Sequence, residues 1–104
     1  MNPDEFKASL NREAPPDDIG YALRALWHQA RGEWNRAHQL AQNQEDESGA
    51  WVHAHLHRVH GEEGNAGYWY RRAGKPHART PLDEEWDEIV AALLSKRTGE
   101  PGVG

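Results

Sequence analysis

Apolar residues recur three and four positions apart in five separate stretches, and each stretch predicts one helix with a single apolar face. In the first, Ile19, Leu23, Leu26, Trp27 and Ala30 follow that spacing. Asp17 or Asp18 is expected to cap the helix, which runs to about Arg31 and ends at Gly32. A second helix starts near Glu33 and carries Trp34, Ala37, Leu40 and Ala41 on one face. Residues 43–49 are polar and predict a loop. A third helix, residues 50–60, has Val52, Leu56 and Val59 on one side. Gly61 and Gly64 bracket a turn. Ala66, Trp69, Tyr70 and Ala73 then make a fourth, with Gly74 as its stop and Arg71 and Arg72 suiting its negative end. Thr80 and Pro81 open the fifth at about residues 81–97, where Trp86, Ile89, Val90, Leu93 and Leu94 form the apolar face and Gly99 ends it. Before all of these, residues 1–12 predict a short helix capped by Asn2, with Phe6 and Leu10 offered as a lid on a core edge. Ala14-Pro15-Pro16 reads as a linker, and residues 100–104 are expected to form a disordered, frayed tail. The predicted fold is all-α: one domain, residues 1–99, of antiparallel helical hairpins with a short N-terminal helix and a C-terminal capping helix.

Residues 51–60, WVHAHLHRVH, also alternate strictly, as a strand with a row of histidines would. An internal repeat favours the helix. Gly32 corresponds to Gly61, Ala37 to Ala66, Leu40 to Trp69 and Ala41 to Tyr70, at an offset of 29 residues. The two copies, residues 19–43 and 49–75, each read helix, glycine turn, helix. RGEWNRAHQLAQ and GEEGNAGYWYRRAG resemble the turn and second helix of tetratricopeptide and Sel1-like repeats, over about residues 19–76. The offset is shorter than the roughly 34 residues of a tetratricopeptide unit, and Glu63 stands where an aromatic is expected. LWHQARGEWNRAH with WYRRAG is similar to short bacterial proteins with no assigned activity. The resemblance implies a non-enzymatic module for protein–protein interaction or self-association, so a protein partner or a homo-oligomer. Two repeats are too few for a long concave groove.

Composition narrows this picture. Only 37% of the 104 residues are apolar, but five are tryptophan, one in each main predicted helix, so a thin aromatic core is expected. No cysteine is present, which removes disulfides and thiolate metal ligands and makes a reducing, cytoplasmic setting the natural expectation. The N-terminus has no apolar run of signal-peptide type, and nothing approaches a membrane span. The net charge is −5 with histidine neutral, and all seven histidines protonated would bring it to −5 + 7 = +2. Net acidity disfavours general nucleic-acid binding.

Histidine dominates the candidate chemistry. On a helix, His53, His57 and His60 lie at i, i+4 and i+7 along one strip, with His55 pointing elsewhere. A pair at i, i+4 can hold one zinc ion, and His28 or Glu33 could add a third ligand if the first hairpin lies alongside. The competing expectation is that these histidines sit at the core rim, bonded to carboxylates or backbone. A ligand site requires His53 and His57 to converge with His28, His38 or a carboxylate. It is lost if they splay into solvent or are buried against tryptophan. No serine or threonine stands in a nucleophile motif, so no catalytic residue is assigned. Tyr68, Arg71, Arg72, Lys75 and Arg79 form a basic, aromatic run that could grip an anion or single-stranded nucleic acid. The simpler expectation there is pairing with Asp83, Glu84, Glu85, Asp87 and Glu88.

Overall fold

The computed structural model describes residues 1–98, which form six α-helices with no strand among them. They are α1 (Pro3–Ala8), α2 (Tyr21–Ala30), α3 (Trp34–Gln42), α4 (Glu47–Val59), α5 (Glu63–Ala73) and α6 (Leu82–Thr98), with one 3-10 turn at Ser9–Asn11. The expected stop at Gly99 and the tail at 100–104 lie outside the described residues. The radius of gyration, 12.9 Å, is close to the roughly 13 Å of a compact chain of this length.

The helices pair as two antiparallel hairpins, α2 with α3 and α4 with α5. The turns are built alike. Gly32 and Gly61 take φ of +80° and +75°, where an L side chain is strained. In each, a backbone N–H reaches back five residues, Glu33 N to His28 O and Glu62 N to His57 O, both at 2.9 Å. The same residue types in the same places therefore make the same turn twice. Gly74 closes α5 in the left-handed conformation expected of it.

Helix α4 is the centre and packs on α2, α3, α5 and α6. Every residue from Ser48 to Leu56 is buried, including His53 and His55. The sequence pattern implies one apolar side and a polar strip. The helix is instead enclosed all round, because neighbours cover each of its faces. His53 and His55 are thus buried on opposite sides of one helix.

The tryptophans tie elements together through their ring N–H groups, which need acceptors once buried. Trp27 donates to the backbone and hydroxyl oxygens of Ser9, at 3.3 and 3.2 Å. Trp86 on α6 donates to Leu26 O at 3.0 Å, and Trp34 on α3 to Leu56 O at 2.7 Å. The N-terminal segment does lid the core. Phe6 is fully buried, its ring centroid 5.8 Å from that of Trp86, and Asn2 with Glu5 forms a capping box.

Two predicted boundaries are corrected. Helix α2 begins at Tyr21, with Gly20 and not Asp17 or Asp18 at its cap. The N-terminus is satisfied from a distance: Gln44 Oε1 accepts Ala22 N–H at 2.9 Å. Helix α4 begins at Glu47, inside the stretch expected to be loop, because Asp46 caps Gly49 N–H at 2.9 Å. Gly49 is required there, since a Cβ would lie 1.8 Å from Gln44 O.

Candidate metal centre

Three histidines from two helices meet where α3 crosses α4. His38 comes from α3, and His53 and His57 come from successive turns of α4. One ring nitrogen of each lies within 4.8 Å of the others. His38 Nε2 and His53 Nε2 are 2.8 Å apart and share a hydrogen bond. The His53 and His57 rings stack at 5.0 Å and 16°, as i, i+4 neighbours do, and His38 stands edge-on to both.

Aromatic walls hold these rings in place. Trp69 stacks on His53 at 3.8 Å, and Trp34 stacks on His38 at 4.8 Å. Both stacks use ring faces and leave the nitrogen edges free to converge. His53 is thus buried against tryptophan, the condition expected to remove a site, yet it also converges with His38; the expectation that one excludes the other is corrected, because the stacking uses the ring face. His57 Nδ1 is held by Glu62 Oε1 at 2.8 Å, which leaves Nε2 as its ligand atom. A carboxylate on the far nitrogen is the usual second partner of a metal-bound histidine. The same pair recurs at His28 and Glu33, 2.7 Å apart in the first hairpin, so it also belongs to the turn.

At His53 and His38 burial favours neutral imidazole, the form that binds metal. Burial pushes the His53 pKa down to about 4, with the nearby His38 and His57 charges adding to the effect. His38 is lowered too, by burial first and then by His57. Glu62 is lowered by its hydrogen bond to His57.

The distances allow a test of fit. Ligand nitrogens at about 2.0–2.1 Å around a tetrahedral zinc are separated by roughly 3.3 Å. The His38–His53 pair at 2.8 Å has to open by about half an ångström, and the third nitrogen has to close in. Three imidazoles then leave a fourth position for water or another ligand.

Several residues singled out by sequence lie elsewhere. His28 and Glu33 bind each other away from the cluster; the third histidine beside His53 and His57 is His38, because α3 and not α2 crosses the His53 face. His60 leaves the strip and stacks on Trp34 at 3.8 Å. Tyr68 and Arg72 are exposed and linked at 3.1 Å, with the Arg72 guanidinium over Trp69. Arg71 and Arg79 are exposed. Lys75 sits over the Trp51 ring at 4.2 Å. Of the acids expected to neutralise this run, Asp87 pairs with Lys7 and Glu85 with Arg58.

Glu85 is the polar group that sequence reasoning missed. Only 1% exposed, it accepts from His55 Nδ1 at 2.7 Å, from Arg58 Nη1 at 2.8 Å and from the Tyr70 hydroxyl. Burial alone raises its pKa, but these hydrogen bonds outweigh that and hold the carboxyl below its usual range. Burial, then Glu85, pushes the Tyr70 phenol up. The cluster fastens α4 and α5 to α6.

No family model, curated protein or solved structure matches the chain. Among the described residues, no helix is long and apolar enough to cross a membrane.

Proposed function

We propose that the protein binds one divalent transition-metal ion of the zinc class through His38, His53 and His57. The carrying observation is the convergence of three imidazole nitrogens within 4.8 Å, from two helices, at a place where burial lowers the pKa of His38 and His53. Trp34 and Trp69 fix the ring planes, and Glu62 orients His57. The test is thermal unfolding of the metal-free protein with and without one equivalent of zinc. Zinc should raise the melting temperature of wild type and leave His53→Ala and His38→Ala unmoved. His28→Ala should behave as wild type. Equal shifts in all four proteins would reject the site.

A second reading, docking on a protein partner or on a second copy of the chain, is supported by one surface feature. Tyr68 is 47% exposed beside Arg72, and aromatic and arginine side chains are the usual anchors of interfaces. In this reading the two hairpins, with their shared turn, act as a short tetratricopeptide-like pair. A mass that does not change with concentration, together with no loss of partner capture in Tyr68→Ala, would count against it.

A further inference from the structure

A second concave site lies on the opposite side of α4. It is a cavity of 330 Å³ between the N-terminal segment, α2, α4 and α6. Leu10, Val59 and Trp86 provide apolar wall, and Gln29 and His55 provide the polar groups. The cavity is at the small end of the roughly 300–1,000 Å³ that ligand sites span.

Its polar chemistry is one-sided. Gln29 Oε1 is buried and, among the described residues, is the one such side-chain atom without a hydrogen-bond partner. Leaving an acceptor in that state costs about 1–3 kcal/mol, which a bound donor would recover. His55 has given Nδ1 to the Glu85 carboxylate, whose charge the Arg58 guanidinium already balances. Its Nδ1–H donates there, and the ring forms part of the cavity wall. The rim adds Asp83 and an Asp87 carboxylate paired with Lys7 at 3.3 Å, a net negative charge.

We infer that this cavity binds a small molecule with an apolar body and a hydrogen-bond-donating, cationic nitrogen head, which Gln29 Oε1 receives. An amine or amidine on an aromatic ring meets these requirements. A carboxylate of the same size does not, because it would bring another acceptor to Gln29 Oε1 and an acidic rim.

The experiment is a titration of the ¹⁵N-labelled full chain with benzylamine, followed by amide chemical shifts, with benzoate as the matched anion. Benzylamine is expected to give saturable shifts around Gln29, His55, Val59 and Trp86, and benzoate none. Gln29→Leu should weaken benzylamine about tenfold, the worth of one hydrogen bond. That variant should fold at least as stably as wild type, because it removes an unsatisfied buried atom. Failure of benzylamine to saturate by about 10 mM, equal binding of benzoate, shifts confined to Asp83 and Asp87, or an unchanged affinity in Gln29→Leu would each overturn the inference. The site shares no residue with the histidine cluster, so zinc should leave its affinity unchanged.

Discussion

Replacing Glu85 by Gln removes one charge from the buried cluster with little change of shape. The amide oxygen can still accept from His55 and Arg58, and the Tyr70 hydroxyl can turn to accept from the new NH₂. What is lost is the negative charge facing the Arg58 guanidinium at 2.8 Å. Breaking a fully buried pair costs about 3–5 kcal/mol. The Arg58 side chain keeps 11% exposure and a bond to Thr80 O, which lowers the expected loss to about 3 kcal/mol. For a domain of this size that loss corresponds to a melting temperature lower by roughly 12–24 °C. Urea unfolding followed by tryptophan fluorescence measures it directly. Arg58→Met should couple to it, with the double variant at least about 1 kcal/mol better than the sum of the singles. The pH dependence has a defined sign. The folded pKa of Glu85 is depressed, so its stabilisation is present above the unfolded value near 4.5 and is lost as pH falls below it. Glu85→Gln should lack that part of the acid loss. A destabilisation below about 1 kcal/mol, or additive singles, would refute the view that this cluster locks α6 to the hairpins.

Gly49→Ala should cost about 3 kcal/mol or more, because its Cβ meets a backbone carbonyl at 1.8 Å. Gly61→Ala meets nothing within 4 Å and should cost only the roughly 1–2 kcal/mol of positive φ, so equal losses in urea unfolding would contradict the geometry. Metal-free protein should lose stability as pH falls from 6.5 towards 4, since unfolded His53 takes a proton before folded His53 does. The slope from this residue is at most about 1.4 kcal/mol per pH unit, and His53→Gln should flatten it; an unchanged slope would show that His53 is not held neutral. Trp34→Phe deletes the bond to Leu56 O and should destabilise by about 1–2 kcal/mol in urea unfolding, with weaker zinc binding because His38 loses part of its support; wild-type zinc affinity would contradict that role.

The faces of the helices were legible because the apolar spacing of Leu23, Leu26 and Trp27, or of Trp86, Ile89 and Val90, has one helical solution. The turns were legible because Gly32 and Gly61 stand at equivalent places in two copies. The starts of α2 and α4 were not. Both depend on Gln44 and Asp46, and Gln44 caps a helix that precedes it by more than twenty residues. The histidine strip on α4 suggested a ligand pair, yet the third member depends on which helix crosses it. His38 lies four residues after Trp34 on α3, and that spacing was the available signal; only packing distinguishes it from His28. Glu85 read as one of several surface acids in DEEWDE. Its burial follows from the position of Tyr70 and His55 opposite, which no local pattern encodes.

X-ray absorption at the zinc edge of protein loaded with one equivalent of metal reads the ligand set of the His38, His53 and His57 cluster itself. Three imidazole ligands at about 2.0 Å, completed by one light atom, are expected, with one imidazole lost in His38→Ala. Fewer than three imidazoles in wild type, or a spectrum that His38→Ala leaves unchanged, would contradict a site built from His38, His53 and His57.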